Sequence, residues 1–140
     1  MMRGKLLMIE KKIKELVKKA TEAREKAYVP YSNFKVGAAL LTKDGEIYTG
    51  CNVENSSYGL SNCAERTAIF KAISEGKMEF EAIAIVADTK RPCPPCGACR
   101  QVIVEFGKNI DVIMSNLNED IIIKKADNLL WGSFSNQDLS

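Results

Sequence analysis

A chain of 140 residues, 46% hydrophobic and 27% charged, has the size of one globular domain and can bury about two-thirds of its unfolded surface in a single core. Its 20 basic and 18 acidic residues leave a net charge of +2 spread along the chain, which excludes the phosphate-binding stripe of a nucleic-acid binder. No run approaches the roughly 18 apolar residues of a membrane span and no secretory leader is recognisable, so a cytoplasmic protein with a small, uncharged partner is expected.

Residues 1–8 carry no pattern that the next segment needs and are expected to be a frayed lead to one domain spanning 1–140. Over residues 9–26, Ile13, Leu16, Val17, Ala20 and Ala23 recur at helical spacing among lysines and glutamates, which predicts an amphipathic helix ended before Pro30. Two extended runs, 34–42 and 46–53, flank Lys43-Asp44-Gly45, a hairpin signal. Residues 64–75 read as a helix stopped by Gly76, 81–87 as a buried strand, and 96–106 as a second helix stopped by Gly107. Strands at 111–115 and 121–124 and a short helix near 126–130 complete the chain. This alternation predicts an α/β fold, a mixed sheet with helices on both faces.

The five cysteines of a reducing compartment read as metal ligands or reactive groups rather than disulfides. Histidine is absent, so a metal site must use sulfur and oxygen. Cys96-Gly97-Ala98-Cys99 lies where a proline-rich loop turns into a helix, and Cys63 lies at the start of the preceding helix. Free N–H groups and the positive dipole end of a helix favour the thiolate, the form that binds zinc. If the two helix starts meet, three sulfurs converge and one tetrahedral position stays open, as in catalytic zinc sites. Glu65, two residues past Cys63, can then sit beside the metal as a general acid and base. Cys63-Ala64-Glu65 with Pro95-Cys96-Gly97-Ala98-Cys99 follows the zinc-deaminase pattern H-x-E with P-C-x-x-C, Cys replacing His. A second frame, Pro92-Cys93-Pro94-Pro95-Cys96, also fits. The helix-start rules favour the later one, because Cys93 precedes a proline. Asn52 and Glu54, two apart at the end of an extended run, share a face, where they read either as solvated polar groups at an exposed strand end or as an amide and a carboxylate able to bond adjacent hydroxyls of a ligand.

The runs Pro30-Tyr31-Ser32-Asn33-Phe34-Lys35-Val36-Gly37-Ala38-Ala39-Leu40, Gly50-Cys51-Asn52-Val53-Glu54-Asn55, Cys63-Ala64-Glu65-Arg66-Thr67-Ala68 and Pro95-Cys96-Gly97-Ala98-Cys99-Arg100-Gln101 together resemble the small homotetrameric cytidine deaminases. The resemblance implies a three-layer α/β/α fold with a five-stranded mixed sheet, and Zn2+ on Cys63, Cys96 and Cys99. It implies hydrolysis of cytidine and deoxycytidine by zinc-bound hydroxide, within pyrimidine salvage. Glu65 would shuttle the protons, Phe34 would stack near the base, and backbone around Ala64 and Pro95 would orient it. Asn52 and Glu54 would hold the sugar, and Arg66 would donate to the cysteine sulfurs. Phe134, and with it Tyr58, would reach a site near a subunit interface. Trp131 and Ser56-Ser57 depart from the family's usual residues in the tail and near the sugar pocket. Two rivals remain at this stage: a deaminase of a modified cytosine nucleoside or nucleoside antibiotic, and a structural zinc module closed by Cys93 as fourth ligand. An editor of polynucleotides is disfavoured by the balanced charge.

Overall fold

A computed structural model describes residues 2–139, with side chains from Ile9 onward. The first helix, α1, runs Met2–Arg24. It takes in residues 2–8, where a frayed lead was expected, because that stretch holds no proline and every residue of it but Gly4 is a good helix former. Its other end comes two residues early, where Glu25 and Lys26 bond back three residues instead of four. Leu16, Val17 and Ala20 form its buried stripe.

Strands β1 (Val36–Thr42) and β2 (Ile47–Cys51) make the predicted hairpin. Gly45 at φ 92° supplies the left-handed residue in the connecting loop of residues 43–46. β1 begins two residues late and β2 ends two residues early, where the Asn52 side chain bonds the backbone of Phe34 and Val36 and Val53 instead bridges Tyr28 and Asn62. Helix α2 (Ala64–Ser74) leads to β3 (Phe80–Ala87), α3 (Gly97–Phe106) to β4 (Asp111–Asn116), and β5 (Ile121–Lys125) runs directly into the single turn α4 (Ala126–Leu129).

The sheet order is β2-β1-β3-β4-β5, with only β3 and β4 parallel. Parallel neighbours need a crossover, and α3 provides it. One face packs Ala39, Leu41, Ala82, Ala84, Val86 and Ile113 on α1. The other packs Leu40, Ile83, Ile85, Val112 and Met114 on Ile69, Ile103 and Val104 of α2 and α3. The result is the three-layer α/β/α arrangement with a five-stranded mixed sheet. Among the described residues no helix is long and apolar enough to cross a membrane.

Two glycines set how closely the layers approach. A Cβ on Gly37 would lie 1.9 Å from the Ala20 carbonyl oxygen of α1, and one on Gly50 would lie 2.6 Å from the Ala64 carbonyl oxygen at the start of α2. Gly50 therefore lets α2 sit hard against the hairpin.

Candidate active site

Cys63 and Cys96 cap α2 and α3 in extended backbone, at φ −77° and −67°, and neither sulfur is used in a capping bond. The sulfurs turn toward each other instead. Cys63 Sγ lies 3.7 Å from Cys96 Sγ, and with Cys99 Sγ all three lie within 4.8 Å of one another. Tetrahedral zinc with Zn–S bonds near 2.3 Å separates two sulfurs by about 3.8 Å, so the donor set fits zinc in kind and spacing. Among the described residues no fourth Cys, His or carboxylate joins this group. Cys93, the rival fourth ligand, directs its thiol to the Pro94 carbonyl at 3.7 Å while its N–H donates to Ser115 O. Burial pushes that thiol up to about 11.

Glu65, in the first turn of α2, is 3% exposed. Removal from water pushes its carboxyl up to about 7. Arg66 Nη2 donates to Cys63 Sγ at 3.3 Å. A hydrogen bond from Cys99 and this one from Arg66 hold the Cys63 thiol well below its ordinary range, while the same pairing and burial hold the Cys99 proton on. Three thiolates on one divalent ion would carry excess negative charge, which the Arg66 guanidinium and two helix N-termini are placed to oppose. The Arg66 Nε is buried without a hydrogen-bond partner, so the guanidinium gives up hydration in order to face sulfur.

Beside the sulfurs lies a cleft of ≈ 200 Å³, lined by Phe34, Val36 and Asn52 from the hairpin side, Ala64 and Glu65 from α2, and Cys93 and Pro94 from the loop before α3. Larger hollows exist, one of ≈ 440 Å³ between α1 and β2. That one gathers lysine stems and strand backbone, with no convergent ligand set. The 200 Å³ cleft is where chemistry concentrates.

Asn52 and Glu54 are both committed to shaping this cleft. Asn52 Oδ1 accepts from Val36 N at 2.9 Å and its Nδ2 donates to Phe34 O at 2.8 Å. Glu54 accepts from the backbone of Tyr31 and Ser32 at 3.0 and 3.1 Å and from the Ser32 hydroxyl, and the Ser32 bond leads the causes that hold its carboxyl below the usual range. Together they fix the turn in which Asn33 takes φ 59° and from which Phe34 emerges. Each retains acceptor or donor capacity for a ligand.

Tyr58 and Phe134 do not line the cleft. Tyr58 is 75% exposed, its ring edge-on to Tyr31 at 5.9 Å. Phe134 is 59% exposed, and Gln101 Nε2 donates to its carbonyl at 2.8 Å. Sequence reasoning missed Val36 and Pro94 as walls, although both stand in the matching runs or beside them. It also missed Asn116, 1% exposed, whose Nδ2 donates to Lys90 O at 3.1 Å and tethers the loop that carries Cys93 to Cys96. A lone asparagine at a strand end offers no sequence signal for that.

Residues 10–115 match the family described as cytidine and deoxycytidylate deaminase zinc-binding region. The chain is 56% identical over 129 residues to a cytidine deaminase of Sporosarcina psychrophila, covering 91% of this chain and 95% of that protein. It is 58% identical over 126 residues to one from Halalkalibacterium halodurans, covering 89% and 96%. A crystal structure of cytidine deaminase from Burkholderia pseudomallei superposes with a TM-score of 0.84 at 54% identity, covering 86% of this chain and 97% of that one. A Blasticidin-S deaminase of Bacillus cereus is more distant, 33% identical over 108 residues.

Proposed function

Starting from the fact that this chain belongs to the cytidine deaminase family, we propose that it hydrolyses cytidine and deoxycytidine to uridine and deoxyuridine with release of ammonia. One observation carries the reading: three sulfurs spaced for zinc open beside a buried carboxylate into a cleft walled by Phe34. Cys63, Cys96 and Cys99 would hold the zinc, which supplies Lewis-acid activation of water when bound. Glu65, shielded from bulk water, takes a proton from the attacking water and delivers it to N3 of the ring, then takes the second proton of that oxygen and gives it to the amine, which departs as ammonia. Phe34 packs the base, held in place by Asn52 on its own backbone. Asn52 and Glu54 present their remaining polar atoms to the sugar, and Arg66 keeps electron density from accumulating on Cys63.

The same cleft supports a homotetramer whose active sites lie near subunit interfaces. Small-molecule sites occupy roughly 300–1,000 Å³, more than the ≈ 200 Å³ of this cleft. Tyr58, Phe134 and Trp131, the last 95% exposed, are the large side chains a neighbour would cover or receive. The five free thiols suit the reducing cytoplasm, where the three ligand sulfurs stay available to metal, and a role in pyrimidine salvage follows from the reaction. Cytidine is favoured over a nucleoside antibiotic as substrate by the higher identity to the cytidine deaminases. The test is an absorbance assay of the zinc-loaded protein with cytidine, deoxycytidine and blasticidin S in parallel. Turnover of the first two is expected, and activity on the antibiotic alone would overturn the reading.

A further inference from the structure

At the far side of the sheet from the hairpin, β5 pairs with β4 and, among the described residues, with no other strand. A strand at an edge presents a row of outward N–H and C=O groups, a template that proteins usually blunt with charge or a bulge. Here the middle of the strand is apolar: Ile121, Ile122 and Ile123 are 39%, 45% and 40% exposed. The charges stand at its two ends and have opposite sign, Glu119-Asp120 before and Lys124-Lys125 after.

We propose that β5 pairs antiparallel with β5 of a second copy of this chain, across a two-fold axis through Ile122, joining the two sheets edge to edge. In that register Ile122 meets its own copy, Ile121 meets the second copy's Ile123, and Asp120 meets the second copy's Lys124 at both ends. Cross-strand neighbours of opposite charge attract and like charges repel, so the strand is complementary to itself. A two-fold axis normal to the sheet keeps each residue on its own face, so the register can shift only in steps that centre another residue. Centring on Ile121 sets Asp120 against Ile122, and centring on Ile123 sets Lys124 against Ile122. Only the Ile122 register pairs both charges and all three isoleucines.

The faces agree with this choice. Ile123 lies opposite Ile113 on the α1 side and borders a hollow of ≈ 230 Å³ lined by Ile9, Ile13 and Leu16 together with the charged Lys12, Glu81 and Asp111. Pairing brings Ile121 and Ile123 of both copies together there, so each hollow gains an apolar neighbour. Lys125 is already held by Asp111 at 2.7 Å, which leaves Lys124 as the cation for the contact. The proposal rests on the oligomeric reading above and names one of its surfaces.

The experiment uses full-length zinc-loaded protein carrying Asp120→Lys or Lys124→Asp. Each single variant makes both charge contacts repulsive, and the dissociation midpoint in sedimentation should rise by about tenfold or more, a shift worth about 1.4 kcal/mol. An equimolar mixture restores both contacts between unlike chains and should reassociate, with a tag on one chain capturing the other. Singles that keep the wild-type midpoint, or folded singles that do not recombine, overturn the proposal. Because Asp120→Lys also removes a bond from Asn116, amide hydrogen exchange of wild-type residues 121–124 is measured as well. Slow exchange that quickens on dilution is the expected result, and fast exchange at every concentration overturns it. Cytidine turnover of the wild type is recorded separately. Turnover without edge protection ends this proposal alone, whereas absent turnover ends the functional reading.

Discussion

Helices α2 and α3 begin alike and end up with different work. Each is capped by a cysteine in extended backbone and carries an arginine near its first turn, yet Arg66 donates to Cys63 Sγ while Arg100 donates to the carbonyls of Pro95 and Leu129 at 2.8 and 2.9 Å. Arg66 is three residues past its cap and Arg100 is four. One further residue turns a side chain by about 100° around the helix, enough to carry a guanidinium from the sulfurs to the C-terminal segment. The same charge thus faces the sulfur cluster on one helix and fastens the tail on the other, and what separates them is angular position.

The most damaging way to test this comparison is to remove the sulfur the two helices share most deeply. Cys99 is 0% exposed, and Cys99→Ala should abolish stoichiometric zinc and with it turnover, read by metal analysis of the purified protein. Next comes Glu65→Gln, which preserves shape and zinc but removes the proton carrier. A fall in kcat of about 10²–10⁴ is expected, and wild-type kcat in a zinc-replete sample would remove Glu65 from the mechanism. Arg66→Gln should cost about 10–100-fold in zinc affinity or activity, measured by competition with a chelator. Arg100→Gln separates the two arginines. It should leave zinc affinity unchanged and lower stability by about 2 kcal/mol, the loss of charge-assisted bonds to two carbonyls, seen as a reduced denaturant midpoint. If Arg100→Gln weakened zinc as much as Arg66→Gln, the division of labour between the helices would be wrong. The smallest effect belongs to Glu54→Gln. It keeps the acceptor for Tyr31 N and Ser32 N on a neutral amide, and a modest rise in KM with little change in kcat is expected from steady-state assays.

Most of this site could be read from the chain as a string. Prolines before Cys96 and the helical patterns after Cys63 and Cys96 localise two helix starts, and thiols at such starts face metals for reasons of dipole and free N–H groups. The Asp44-Gly45 hairpin and the strand–helix alternation were legible in the same way, because turn chemistry and periodicity are local. The limits of the strands were not. They depend on Asn52 reaching across to Phe34 and Val36, eighteen and sixteen residues away, and a side chain that replaces a ladder bond leaves no mark on hydrophobic period. The lead was misjudged because residues 2–8 lack amphipathic pattern, whereas backbone propensity alone carries the helix through them.

Local chemistry therefore determined which residues can bind zinc and move protons, since cysteine, glutamate and helix-start positions have those properties wherever they occur. Packing decided the rest. Gly50 brings α2 onto the hairpin so that Phe34 and Glu65 share a cleft, and Cys93 is excluded from the sulfur cluster by where its loop is tethered. Tyr58 and Phe134 are left at the surface. Those outcomes are distances between residues far apart in the chain, and such distances exist only once the sheet and its two helical layers have closed on one another.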